Sequence, residues 1–151
     1  MARDYATLAR RAASELPREV PREEKLRRLT ALLWEALGAE GISWCGFYLP
    51  APGGGELRLA CCRPRPACSP IGLHGVCGKG FLTGKPQVVR DVAGLGSSYV
   101  ACDPRDRSEV VVPLTDGTGC WGVLDLDSHE AGAFTEADAA GLAAVLRAAG
   151  L

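Results

Sequence analysis

Leu26, Leu29, Leu33 and Leu37 recur at spacings of three and four among charged residues, and Gly38 follows them. This pattern predicts an amphipathic helix over Arg22–Leu37. Pro21 suits its start, and Glu23 and Glu24 suit the positive end of its dipole. Ala2–Glu15 also has helical composition, and Pro17 and Pro21 interrupt it. From Ile42 the character changes. Ile42–Leu49 is rich in aromatic and β-branched residues, Pro50–Gly55 is a turn, and Leu57–Cys62 completes a hairpin. Arg63–Gly75 has three prolines and no period, so it reads as a loop. His74–Thr83 reads as a short Gly-rich helix, Gln87–Arg90 as a short strand, and Asp91–Arg107 as irregular. Ser108–Leu114 and Cys120–Asp127 read as strands joined at Thr115–Gly119, with Asp116–Gly117 as the hairpin signal. Thr135 caps a final helix, Asp138 completes a weaker capping box, and Leu142, Val145 and Leu146 form its apolar side.

Two helices, a hairpin, two Cys-bearing loops around a further strand, a second hairpin and a helix predict an α+β plan. The sheet is mostly antiparallel, with helices packed on one face. At 151 residues the chain fits one domain, spanning 1–151, with N-terminal helices over 1–38 and a core over 42–149. The PAPGGG stretch at 50–55 is too short for an interdomain linker.

Charge excludes one class of function. The first forty residues carry eight basic and seven acidic side chains, and the net charge is −1. No basic excess supports nucleic-acid binding. No apolar run approaches the roughly 18 residues a membrane span needs, and the N-terminus lacks a signal-peptide core. The expected location is the cytoplasm. There, seven cysteines point to redox chemistry, metal binding or burial rather than to a disulfide frame.

The chemistry concentrates between Ala101 and Ser128. Asp125 and Asp127 are two apart in a strand and share one face with Val123. Glu109, Val111 and Pro113 share a face of the neighbouring strand. If the hairpin pairs these strands, three acids converge near one end of the sheet. Three close acids cannot all ionise cheaply, so at least one holds its proton near neutrality and can donate it. An ionised neighbour can bind an ammonium group. The alternative is that all three are solvated strand ends. Cys102 lies in a polar segment with Arg105 and Arg107, which would favour a thiolate, and Asp103, which opposes it. Cys68 and Cys77 lie in or beside the other loop, and either could capture a sulfenic acid formed on Cys102 as a disulfide. Cys45, Cys61, Cys62 and Cys120 fall in strands and read as small core residues. Cys61 and Cys62 point to opposite faces. Trp44 and Tyr48 share a strand face, as core packing or as the wall of a ligand pocket.

Other signals carry less. Gly117, Gly119 and Gly122 match a dinucleotide pattern, but a strand runs through Gly122 where a helix is required. Gly75, Gly78, Gly80 and Gly84 suggest close backbone packing without a phosphate loop. His74 and His129 are isolated, without metal-ligand spacing, so no metal is expected.

The ordered set SWCGFYL (43–49), PAC (66–68), GVCG (75–78), ACD (101–103), SEVVVPL (108–114), GVLDLDS (122–128) and FTEAD (134–138) resembles the free methionine-(R)-sulfoxide reductases, which are stand-alone GAF domains. The resemblance covers most of Ile42–Leu142. It implies a GAF-like sheet of about six antiparallel strands, with helices on one face and a closed pocket on the other. It implies Cys102 as nucleophile, Cys68 as resolving cysteine and Cys77 as an auxiliary one. It implies Glu109, Asp125 and Asp127 as pocket acids and Trp44 and Tyr48 as pocket aromatics. The implied reaction reduces free methionine-(R)-sulfoxide through a sulfenic acid and a disulfide. Thioredoxin or a similar dithiol resets the disulfide, with no metal or organic cofactor. A homodimer through the N-terminal helices is compatible with the family. The chain departs from it at Ser98, Tyr99 and Val100, where Gly-His-Ile is usual. It departs again at Arg63–Pro66, and in a Cys68–Cys77 loop one residue short. The alternative reading is a non-catalytic GAF sensor of a small ligand or of redox state.

Overall fold

A computed structural model describes residues 2–96, 99 and 102–151. Three positions of the sequence motifs, Ser98, Val100 and Ala101, lie outside the described residues. Four α-helices and six strands run in the order α1 (Tyr5–Glu15), α2 (Arg22–Leu37), β1 (Trp44–Pro50), β2 (Glu56–Arg63), β3 (Ile71–Gly72), α3 (Val76–Thr83), β4 (Gln87–Val89), β5 (Ser108–Asp116), β6 (Gly119–Ser128) and α4 (Glu136–Ala148). The strands form one antiparallel sheet in the order β3-β2-β1-β6-β5-β4. The two hairpins therefore meet at the centre, where β1 pairs with β6.

Period-two alternation assigns the sheet's faces. Cys45 and Phe47 of β1, Val110, Val112 and Leu114 of β5, and Leu124 and Leu126 of β6 face one way. There they bury against Leu26, Leu29, Leu33 and Leu37 of α2, Leu8 and Ala12 of α1, and Leu142, Val145 and Leu146 of α4. The leucine stripe read from the sequence is thus the core face of α2. Asp138 ties this layer together. Its carboxylate accepts from Arg3 Nη1 at 2.8 Å, Tyr5 Oη at 2.7 Å and the Thr135 backbone N–H at 2.8 Å. The capping box that starts α4 therefore also anchors α1.

The opposite face carries a smaller apolar group: Trp44, Tyr48, Leu57, Ile71, Val76, Cys77, Val111 and Val123. Helix α3 lies here, apart from the other three helices, and packs on β5 and β6. Its glycines make this approach possible. A Cβ at Gly78 would fall on the backbone of Leu73, and one at Gly80 would come within 2.8 Å of Val111 Cγ1.

Two details differ from expectation. The 63–75 segment contains a strand, β3, which pairs Ile71 with Leu57 and Gly72 with Glu56. Two residues are too few to show a period, and only the free edge of β2 defines the strand. The β5–β6 turn is centred on Gly117 and Thr118, one residue beyond Asp116–Gly117, because Asp116 pairs with Gly119 and its carboxylate accepts from the Thr118 N–H at 2.8 Å.

Because Gly78 has no room for a methyl group, Gly78→Ala is expected to cost about 1–3 kcal/mol. Gly117→Ala, in open space, is expected to stay within about 0.5 kcal/mol of wild type. Urea unfolding of the two variants checks the difference.

Candidate active site

The central register decides where the acids go. Glu109 pairs with Asp127, Val111 with Asp125, and Trp44 with Asp127 from the other side. All of these side chains stand on the face that α3 covers. The expected convergence of Glu109, Asp125 and Asp127 is therefore present, and these acids are not solvated strand ends. Glu109 and Asp125 are each only 6% exposed. They line one pocket with Trp44, Tyr48, Cys77, Tyr99, Cys102, Asp106 and Asp127.

No lysine, arginine or histidine lines this pocket among the described residues. Desolvation therefore raises the carboxyls and mutual repulsion adds to it, opposed at Glu109 and Asp125 by hydrogen bonds within the cluster. Burial, then the Asp127 charge, pushes Glu109 from 4.5 up to about 8. Burial, then Glu109, raises Asp125 well above the usual carboxylate range. Burial, then Asp125, does the same to Asp127. Glu109 therefore keeps its proton at neutral pH. One buried acceptor, Asp125 Oδ1, has no hydrogen-bond partner among the described residues.

The aromatic pair is both wall and clamp. Trp44 and Tyr48 are 5% and 2% exposed, with ring centroids 6.2 Å apart. Their polar ends reach the same loop. Trp44 Nε1 donates to the Arg65 carbonyl at 2.8 Å, and Tyr48 Oη donates to the Cys68 carbonyl at 2.8 Å. Two hydrogen bonds from the sheet thus hold the backbone on both sides of Pro66–Ala67, and Cys68 with it.

The cysteines separate into two locations. Cys68 and Cys102 are exposed free thiols, Cys102 lines the pocket, and Cys68 lies close enough to influence the Cys102 thiol. Cys77 is buried inside at the start of α3, with Sγ 3.9 Å from Glu109 Oε1. Burial, then the charges of Asp125 and Glu109, raises its thiol well above the ordinary value. Of the four cysteines expected in the core, only Cys45 is fully buried. Cys61, Cys62 and Cys120 are half-buried, because β2 lies near one sheet edge and Cys120 at a strand start. Cys61 and Cys62 do take opposite faces, one packed on each apolar cluster.

The expectation for the Cys102 thiol changes. Arg105 is forked onto Asp103, with Nη2–Oδ2 at 2.9 Å, and Arg107 reaches Asp91 at 3.3 Å. Neither cation serves the thiol. Desolvation against the pocket wall, then the facing Cys68 thiol, pushes Cys102 up to about 12.

His129 is not isolated, as its sequence position suggested. Its Nε2 lies 3.4 Å from Asp103 Oδ2 and 3.7 Å from Asp106 Oδ1, because the end of β6 returns to the segment after Cys102. Asp106 and Tyr99 are the pocket residues the sequence reading missed. Asp106 is 7% exposed, accepts from Ser43 Oγ at 3.4 Å, and is pushed up to about 6 by burial and by Asp103. It sits in an irregular segment, where no period signals burial. Its position four residues after Cys102 and three before Glu109 was the only available clue.

The chain matches the GAF domain family over residues 19–151. The free methionine-R-sulfoxide reductase of Escherichia coli is 35% identical over 143 residues, which cover 91% of this chain and 81% of that protein. The structure of free methionine-R-sulfoxide reductase from Neisseria meningitidis, in complex with its substrate, superimposes with a TM-score of 0.88 at 34% identity, covering 99% of this chain and 90% of that one. The reduced fRMsr of Staphylococcus aureus gives 0.88 at 34% identity, covering 98% and 94%. Six antiparallel strands, an acid-lined pocket on the face away from α1, α2 and α4, and similarity across almost the whole length agree. This chain belongs to the GAF domain family and, within it, to the free methionine-R-sulfoxide reductases.

Proposed function

We propose that this protein reduces free methionine-(R)-sulfoxide to methionine, with Cys102 as nucleophile and Cys68 as resolving cysteine. One observation carries the reading. Cys102 lines a pocket with Glu109, Asp125 and Asp127, no lysine, arginine or histidine lines it among the described residues, and the Cys68 thiol is close enough to Cys102 to influence it. A free amino acid brings the missing cation as its ammonium group, and Asp125 and its neighbours offer charge-assisted acceptors for it. An acid that keeps its proton near neutrality supplies it to the sulfoxide oxygen.

The steps balance. The Cys102 thiol passes its proton to a pocket carboxylate as its sulfur attacks the sulfoxide sulfur, and a pocket carboxylic acid protonates the oxygen, which passes to Cys102. Methionine leaves, and Cys102 is a sulfenic acid. The Cys68 thiol then attacks this sulfur, water departs, and a Cys68–Cys102 disulfide remains. An external dithiol of the thioredoxin type, as found in the reducing cytoplasm, restores both thiols by exchange. The scheme draws on no metal or organic cofactor. The Trp44 and Tyr48 hydrogen bonds to the Arg65 and Cys68 carbonyls support Cys68 as the resolving residue, since they hold it where Cys102 can be reached. Burial of Cys77 beneath the acids suits an auxiliary role.

The assay is methionine release from the free R-sulfoxide. With a dithiol present, wild type is expected to turn over and Cys102→Ser to lose at least about 1,000-fold in rate. Cys68→Ser is expected to retain more activity with dithiothreitol than with thioredoxin. Tight ligand binding without turnover in the wild-type protein would replace this reading with that of a sensor.

The acids carry a second test, on stability. Glu109 binds its proton more tightly folded, near 8, than unfolded, near 4.5. The folded state therefore holds more protons between these values, and stability falls as pH rises through that window. Glu109→Gln, which needs no proton to be neutral, is expected to weaken this fall and to raise Tm by several degrees at pH 8. The same substitution is expected to lower kcat/KM by at least about 100-fold. Thermal melts across pH, alongside the assay, separate this functional role from a structural one. A variant that loses both stability and rate would reduce the acid to a packing part.

A further inference from the structure

Inside the pocket, Cys77, Glu109 and Asp125 form a group distinct from the exposed thiol pair. Each offers one ligand atom, a sulfur and two carboxylate oxygens, and these atoms lie within 4.8 Å of one another. All three residues are buried. They come from three elements, α3, β5 and β6, so no sequence spacing announces them. A second observation points to a ligand. Asp125 Oδ1 is buried and unpartnered among the described residues, on a side chain that lines the pocket. A cluster of potential anions, in a pocket that no lysine, arginine or histidine lines among the described residues, is complementary to a cation.

The donor set selects its kind. Mg²⁺ and Ca²⁺ take hard oxygen ligands in shells of six or more, and a sulfur is a poor member of such a shell. Zn²⁺ takes one thiolate and two carboxylates readily, in a tetrahedron whose fourth position is open to water. Bonds of about 2.0–2.3 Å place tetrahedral ligand atoms roughly 3.3–3.8 Å apart. The Cys77 Sγ–Glu109 Oε1 separation of 3.9 Å already approaches this.

We propose that Cys77, Glu109 and Asp125 form a binding site for a borderline-soft divalent cation, with Zn²⁺ the best match. Binding displaces the Cys77 thiol proton and any protons the two carboxyls hold, and releases them to solvent. Affinity therefore rises with pH. The ion is not a cofactor. It occupies acids that the proposed reaction uses for substrate, and so acts as a reversible inhibitor competing with the sulfoxide. That consequence rests on the reductase reading, whereas the site itself does not.

Co²⁺ added to the reduced, metal-free protein under anaerobic conditions is the probe. The expected spectrum has a thiolate-to-cobalt charge-transfer band in the near ultraviolet and visible bands of tetrahedral cobalt, and Zn²⁺ abolishes both. The charge-transfer band is expected to survive in a Cys68→Ser, Cys102→Ser double variant and to vanish in Cys77→Ser. Asp125→Asn keeps the shape of the neutral acid and leaves Cys77 intact, and is expected to weaken cobalt binding at least 10-fold. Circular dichroism establishes that each variant is folded. No band in the wild type, a band that follows Cys102 rather than Cys77, or unchanged affinity in Asp125→Asn overturns the proposal. None of these readouts involves turnover, so a failed metal site and a failed reductase assay are told apart.

Discussion

Glu109, Asp125 and Asp127 share one pocket with Asp106, and no lysine, arginine or histidine lines it among the described residues. Burying a carboxylate as an ion costs several kcal/mol, and close neighbours of the same sign add to the cost. That cost is expressed in the raised pKa values of Glu109, Asp125 and Asp127. The strain is electrostatic and is set by the backbone. Once β5 and β6 pair Glu109 with Asp127 and Val111 with Asp125, the side chains have nowhere else to go. A pocket of this kind is poor for stability and good for chemistry, a trade that is common at functional sites.

The sheet's other pocket-facing residues serve the same end. Trp44 and Tyr48 fill volume as core residues do, yet each spends its one polar atom on a carbonyl of the 65–68 loop. The loop has no regular structure of its own, and the sheet gives it one position. This is why an exposed cysteine can stand beside Cys102. Helix α3 closes the pocket from the far side, and its small residues let it come close enough to bury Cys77 against the acids. Thiols are thereby sorted by depth, with two exposed and one beneath the carboxyls.

Around Cys102 the charges are largely engaged with one another, Arg105 by Asp103 and Arg107 by Asp91. Desolvation raises the Cys102 thiol, and a protonated thiol oxidises more slowly than a thiolate.

How much of this lay in the linear sequence follows from the range of the forces involved. Periodicity in hydrophobic spacing, turn chemistry and capping are local, so α2, both hairpins, the α4 capping box and the facing of Cys61 against Cys62 could be read directly. Strand alternation is also local, and it put Asp125 with Asp127 and Glu109 with Val111 before any pairing was known. The ordered motifs further tied Cys68, Cys77 and Cys102 to one family. Pairing itself is not local. Only the tertiary structure settled that β5 and β6 align the acids, that β3 exists, that α3 crosses to the pocket face, that Asp106 and Tyr99 line the pocket, and that His129 meets Asp103 and Asp106. The same holds for charge. A sequence shows Arg105 near Cys102, but only three-dimensional contact decides that Asp103 holds it, because an ion pair depends on distances of a few ångströms that chain order does not encode.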